Sequence, residues 1–190
     1  MIKVKSKEKI RKEIREIFKK MDKNEIKRRS KYVRENLQKF VFYKRAKRIL
    51  FYASKEDEVD TWSLMRGALR ENKKVYLPKI KDKNLEIYEI KDLKKDLETG
   101  SYSILEPKET CTKLEDIEKL DLILVPLRAA DFNKNRIGRG KGFYDRFLKK
   151  INSKNIKKIG LCFSFQVFEC LPSKKQDVRL DFLITDKGII

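Results

Sequence analysis

The sequence predicts an α/β fold: one three-layer domain, residues 1–190, with a mainly parallel, Rossmann-like sheet covered by helices. Short apolar, β-prone runs recur along the chain, at residues 48–53, 74–78, 120–126, 158–164 and 182–185. Segments with apolar residues at helical spacing lie between them, and strands alternating with helices favour a parallel sheet buried on both faces. With 190 residues the chain is long enough for one well-packed domain and short for two.

Taken in order, Ile10, Ile14, Ile17, Phe18 and Met21 predict an amphipathic helix over residues 6–21. Asp22 followed three positions later by Glu25 reads as a capping signal for a second helix, marked by Ile26, Val33, Leu37 and Phe40. These two helices form a basic N-terminal segment, about residues 6–40, expected to pack on the sheet. RILFYA at 48–53 reads as a buried strand, Trp62, Met65 and Leu69 as a helix, and KVYLP as a strand stopped by Pro78. LEIYEI at 85–90 alternates like an edge strand, and residues 91–110 look irregular, with Gly100 and Pro107 as punctuation. LDLILVP at 120–126 is the clearest buried strand. A polar loop and a glycine-rich turn follow, then a helix carrying Phe143, Tyr144, Phe147, Leu148 and Ile151. KIGLCFS and FLIT complete the strands.

Composition narrows the chemistry. The formal charge is +20, and residues 1–48 alone carry 20 Lys and Arg against 6 Asp and Glu. Such a balance points to an anionic partner, or to a solvated lysine-rich face that aids solubility. There is no histidine, so Ser-His-Asp and Cys-His catalysis are excluded within this chain. Proton transfer falls to Asp, Glu, Lys, Tyr, Cys, substrate groups or water. Cys111, Cys162 and Cys170 form no CxxC pair, which argues against a zinc site or a disulfide scaffold and suits a reducing compartment. No apolar run approaches the roughly 20 residues a membrane span needs, so the expectation is a cytoplasmic protein without a membrane partner.

The stretch NRIGRGKGFYDRFL, residues 135–148, carries the most chemistry. Gly138, Gly140 and Gly142 alternate with Arg139 and Lys141, and Arg136 and Ile137 precede them. Glycines let the backbone approach a ligand and adopt positive φ. Unpaired N–H groups at a helix start favour phosphate, and Arg and Lys add forked and compact cations. The spacing is neither GxxxxGK[ST] nor GxGxxG, so the residues alone support a phosphate cradle or a tight turn flanked by solvated bases. Asp145 just inside the helix suits either its N-terminus or Mg²⁺.

The segment VPLRAADFNKNRIGRGKGFYDRFL resembles the signature of the 5-formyltetrahydrofolate cyclo-ligase family, in which a strand ending in Val-Pro leads through an Asp-containing loop to an RxGxGxGYYD-type segment. KEKIR, RILFYASKEDEVDT, GSYSILEP and DVRLDFLIT match further family segments in order, so the resemblance spans nearly the whole chain. It implies ATP-dependent cyclisation of 5-formyltetrahydrofolate to 5,10-methenyltetrahydrofolate with release of ADP and phosphate, through phosphoryl transfer to the formyl oxygen. It implies ATP contacts by Lys7, Arg11 and the stretch from Arg136 through Ile137, Gly138, Arg139, Gly140, Lys141, Gly142 and Phe143 to Tyr144, with Arg139 and Lys141 catalytic. Ala53, Glu58, Tyr102 and Phe143 are implied to bind the folate, and Asp145 and Asp181 to hold Mg²⁺. Two departures stand out: Leu127 and Arg128 follow the Val-Pro where Gly is frequent, and Phe143 replaces the first tyrosine of the pair, keeping the ring without the hydroxyl.

Two other readings compete. A nucleic-acid-binding protein would account for the charge, but the aromatic residues follow strands and helix faces rather than an RNA-binding motif, so no nucleic-acid partner is expected. A sugar-phosphate or CoA-handling enzyme would fit a similar sheet. The expected partners are small molecules, with the chain acting as a monomer.

Overall fold

The computed structural model describes residues 5–190. The first helix, α1 (Lys7–Lys20), starts at Ser6, whose Oγ accepts from Lys9 N, and buries Ile10, Ile14 and Phe18 along one stripe. The next, α2 (Lys23–Lys39), buries Ser30, Val33 and Leu37. Its expected capping box is absent. Asp22 is the N-cap residue but makes no side-chain cap bond, and Glu25 pairs with Arg28 and Arg29 instead. A carboxylate with two guanidiniums within one helical turn gains more from them than from a neutral N–H.

After α3 (Val41–Arg45) comes β1 (Arg48–Leu50) and then α4 (Trp62–Arg70), whose first turn is capped by Asp60 accepting from Trp62 N at 2.9 Å. The strands β2 (Lys74–Lys81) and β3 (Asn84–Ile90) form a hairpin. Pro78 does not stop β2 as the sequence predicts. Phe51 N donates to Tyr76 O, so Tyr76 faces β1 and Pro78, two residues on, faces the same side beyond the end of β1. The missing N–H therefore costs no ladder bond.

The stretch predicted to be irregular contains a small hairpin, β4 (Leu97–Thr99) with β5 (Leu105–Pro107). Beyond it lie β6 (Leu122–Val125), β7 (Ala129–Asp131), β8 (Arg136–Ile137), α5 (Phe143–Leu148), β9 (Lys157–Leu161), β10 (Val167–Phe168), β11 (Phe182–Thr185) and β12 (Gly188–Ile189).

The main sheet has the order β12-β11-β9-β6-β1-β2-β3. Its five inner strands are parallel, and β3 and β12 run antiparallel along the edges. Side chains alternate between the two faces as the pleat requires. Ile49, Leu122, Leu124 and Ile159 join Ile10, Val33 and Leu64 from α1, α2 and α4 on one face. Leu50, Ile123, Val125 and Leu183 join Phe147 and Leu148 from α5 on the other. From β1 the chain moves outward to β2, whereas β6, β9 and β11 build on the opposite side of β1. The topological switch point is therefore between β1 and β6, and ligands of such sheets bind outside the carboxyl ends there.

Gly160 in β9 shows how tightly that sheet is covered. A Cβ at this position would lie 2.6 Å from Leu180 Cδ1, 2.7 Å from Leu127 Cδ2 and 2.9 Å from Leu183 Cδ2. Gly160→Ala is expected to destabilise the fold by about 1–3 kcal/mol through overpacking, read as a lower midpoint in urea unfolding.

Candidate active site

A cleft of about 660 Å³ opens at the switch point, within the range of small-molecule sites. Its walls are the loop after β1, the segment after β6, the β4–β5 turn and the amino end of α1.

The segment after β6 is a folded platform rather than the polar loop the sequence predicts. Strands β7 and β8 form a hairpin, and β10 adds to β7. Asp131, fully buried, accepts from Asn135 N and Nδ2 at 2.9 Å each and from Leu171 N at 3.0 Å. That carboxylate ties the hairpin turn to the segment that follows β10, and the glycine-spaced stretch leaves from β8.

Within that stretch Gly140 has φ +106° and Gly142 φ +70°, which suit glycine. From α1, Arg11 Nε donates to Gly138 O at 2.8 Å, and its guanidinium lies within 4 Å of where a Cβ of Gly140 would project. Lys7, one turn earlier on α1, forms an ion pair with Asp177. α5 is shorter than predicted: it ends at Leu148, and Ile151 lies outside it. At six residues it contributes little aligned dipole, so any grip on an anion falls to backbone N–H groups and side-chain cations.

Two arginines of the stretch do different things. The side chain of Arg136 is only 3% exposed and donates through NH2 to Asp145 Oδ1 at 2.8 Å, while its Nε is buried without a partner. Burial pushes its pKa down from the usual arginine value, against the pull of Asp145. Arg139 crosses the cleft: its Nε donates to Glu58 Oε1 at 2.9 Å and its NH2 to Asp57 Oδ1 at 2.6 Å. Asp57 is also ion-paired with Arg128, whose NH1 reaches Asp57 O at 3.1 Å.

Burial opposes ionisation of Asp57, but hydrogen bonds from Arg139 and Arg128 outweigh it and hold its carboxyl below the usual range. For Glu58, only 7% exposed, burial wins and pushes the carboxyl up despite Arg139 and the bond from Lys55 N. Near Glu58 are the buried Tyr52 and the partly buried Tyr144, and burial of their hydroxyls raises both above the usual phenol value. The Tyr144 hydroxyl has no hydrogen-bond partner among the described residues.

The opposite wall is the β4–β5 turn. Tyr102 and Ser103 adopt φ +57° and +54°, an unusual pair for residues with side chains. Tyr102 is 56% exposed, accepts from Lys55 Nζ through its carbonyl, and holds its ring 5.8 Å from Lys141 Nζ. Gly100 lies close against the buried Glu106, whose side chain would have to shift to admit a Cβ, 2.2 Å from Oε2. Ala53 lines the cleft floor, and Phe143 lies under the guanidinium of Arg146 at 5.1 Å.

The cleft thus gathers Lys7, Arg11, Ala53, Glu58 and Tyr102 with the stretch from Arg136 to Asp145. It does not include Asp181. That residue precedes β11 at the amino edge of the sheet, where Oδ2 accepts from Lys158 N at 2.7 Å and pairs with Lys158 Nζ. Asp121 does the same for β1, accepting from Lys47 and Arg48 N. Both tie neighbouring parallel strands, at the edge opposite the cleft.

The carboxylate that does line the cleft near Asp145 is Asp177, four residues earlier in the same DVRLD segment; the next residue, Val178, donates its N–H to Asp145 Oδ1 at 3.3 Å. Spacing within that segment offers two aspartates, and only the tertiary path separates them. Asp57 and Arg128 were likewise not singled out by sequence, although Asp57 adjoins Glu58 and Arg128 marks a departure from the family pattern. Among the described residues, no group of three or more Cys, Asp or Glu side chains could hold a metal by itself.

The cysteines remain free: Cys162 is buried and its thiol is pushed up to about 12 by burial, so it is no nucleophile near neutral pH.

Asp177 makes a pH prediction. Burial opposes its ionisation, but the hydrogen bonds from Lys7 and Lys174 N prevail and hold it below the usual carboxylate range. The folded state then binds fewer protons than the unfolded one, so the stabilisation is present above the unfolded value and lost as pH falls through the folded one. The stability difference between wild type and Asp177→Asn is expected to be greatest at about pH 7 and to close below about pH 4, in urea melts across that range.

A parallel sheet with a cationic, glycine-spaced crevice at its switch point defines the class: an α/β enzyme scaffold for anionic small molecules. A model of the 5-formyltetrahydrofolate cyclo-ligase family matches residues 3–186, and the chain belongs to that family. A Schizosaccharomyces pombe relative named "Probable 5-formyltetrahydrofolate cyclo-ligase" is 32% identical over 161 residues, covering 78% of this chain and 79% of that protein. The Haemophilus influenzae 5-formyltetrahydrofolate cyclo-ligase is 34% identical over 146 residues, covering 74% and 77%. The NMR structure of Aquifex aeolicus 5,10-methenyltetrahydrofolate synthetase matches with a TM-score of 0.85 at 33% identity, over 96% of this chain and 91% of that one. The chain is therefore an enzyme, a ligase of this family. No helix among the described residues is long and apolar enough to cross a membrane.

Proposed function

We propose that this enzyme cyclises 5-formyltetrahydrofolate to 5,10-methenyltetrahydrofolate with consumption of ATP and Mg²⁺ and release of ADP and phosphate. The observation that carries the reading is the convergence, in one cleft, of the glycine-spaced cationic stretch with the buried carboxylate of Glu58, joined by Arg139. One side suits a polyphosphate and the other suits a ligand rich in N–H donors, which describes a nucleotide and a pterin. The nucleotide supplies its terminal phosphoryl group to the formyl oxygen, after which the second folate nitrogen closes the ring and phosphate leaves. Positioning and charge neutralisation dominate such a transfer.

In this reading Lys7, Arg11, Arg136 and the backbone from Ile137 to Tyr144 hold the nucleotide, while Arg139 and Lys141 neutralise the moving charge. The buried, unpartnered Nε of Arg136 supports an acceptor arriving at that point. Ala53, Glu58, Tyr102 and Phe143 hold the folate. Asp145 and Asp177, two carboxylates lining a phosphate cradle, fit Mg²⁺, which is commonly held by one or two carboxylates plus phosphate oxygens. Asp181 has no part in this. We place the enzyme in the cytoplasm, consistent with its unpaired cysteines, and as a monomer. The direct test mixes protein, MgATP and 5-formyltetrahydrofolate and follows the absorbance of the methenyl product. ADP release with sugar phosphates but not with the folate would refute the assignment.

A further inference from the structure

Arg139 belongs to both halves of the cleft. Its side chain is 36% exposed, and its guanidinium is seated on two carboxylates, Glu58 on one side and Asp57 on the other. The two carboxylates differ. The Glu58 side chain is 6% exposed and its Oε1 has Arg139 as its partner, with Lys55 N on the other oxygen. Asp57 is 30% exposed and already neutralised by Arg128, a buried cation. As long as Arg139 sits on Glu58 Oε1 through both Nε and NH2, a donor-rich ligand must compete with its guanidinium for that oxygen.

Resting on the reading above, we propose that Asp57, held by Arg128, is a positioning residue that lets Arg139 exchange partners, so that nucleotide and folate each strengthen binding of the other. Nucleotide phosphate draws the Arg139 fork off Glu58. Asp57 keeps hold of NH2, so the guanidinium pivots within the cleft instead of leaving it. Glu58 Oε1 is then free to accept from the folate. Folate bound first takes Glu58 in the same way and releases Nε of Arg139 for phosphate. A coupling of this kind is reciprocal by linkage. No conformational change beyond one side chain is required.

The test measures the dissociation constant of 5-formyltetrahydrofolate with and without a saturating non-hydrolysable ATP analogue and Mg²⁺. In the wild type the analogue is expected to tighten folate binding by about fivefold or more. In Arg139→Met the ratio is expected to fall to about one, with folate binding in the absence of the analogue no weaker than in the wild type. Plain attraction between an anionic folate and a cationic cleft predicts the opposite, a weaker complex once the guanidinium is gone. For Asp57→Asn, nucleotide affinity is expected to drop about fivefold while folate affinity without nucleotide stays within about twofold. Equal folate affinities with and without the analogue in the wild type overturn the proposal while leaving the enzymatic reading intact. So does an Asp57→Asn protein in which both affinities fall together with thermal stability. If no folate binds under either condition, the enzymatic reading fails and takes this inference with it.

Discussion

Replacing Lys141 with alanine is expected to lower turnover by about a hundredfold or more while leaving the unfolding temperature unchanged. Lys141 is exposed on the glycine-spaced stretch, and its ammonium makes no ion pair among the described residues; it sits 5.8 Å from the ring of Tyr102. A side chain so placed contributes little to packing. Its charge faces the cleft, where removing one preorganised electrostatic contact to a developing charge costs about 3–4 kcal/mol in the transition state. The expected signature is a loss in kcat larger than any rise in KM for ATP, because an interaction made mainly in the transition state affects the chemical step. Methenyl product formation under saturating substrates measures it. A folded variant losing less than about threefold would remove Lys141 from the catalytic group.

Asp131→Ala is expected to act on stability instead. The carboxylate is fully buried and receives three donors, two from Asn135 and one from Leu171. Alanine strands all three, at about 1–3 kcal/mol for each buried group left unsatisfied, so the total should reach about 3 kcal/mol or more. For a chain of this size that corresponds to a fall of roughly 6–12 °C in melting temperature. The glycine-spaced stretch hangs from the same hairpin, so nucleotide affinity should fall with stability. Calorimetry with and without nucleotide measures both, and an unchanged melting temperature would show that the hairpin is held by other means.

How much of this was legible beforehand follows physical lines. The inner strands were readable because strands covered on both faces are continuous apolar runs, as at Leu122–Val125. The helices α1, α2 and α4 were readable from their buried stripes. The β7–β8 platform was not, because its turn depends on one buried aspartate rather than on any pattern of apolar residues. In the cleft, the glycines and their cations could be read because their alternation is local. The choice between Asp177 and Asp181 could not. They are four residues apart, yet one reaches the cleft while the other ties strands at the far edge of the sheet. Asp57 and Arg128 escaped for a similar reason: their meaning comes from Arg139, far along the chain.

The ion pair between Lys7 and Asp177 spans 170 positions. A ribosome delivers α1 long before the partner of Lys7, at about 5–20 residues per second. Until Asp177 emerges, α1 can bury Ile10, Ile14 and Phe18 in the core, but the ammonium of Lys7 lacks this carboxylate. The late arrival of Asp177 thus concerns the cleft, whereas the late arrival of β11, an inner strand with Leu183 and Ile184 fully buried, concerns the sheet itself.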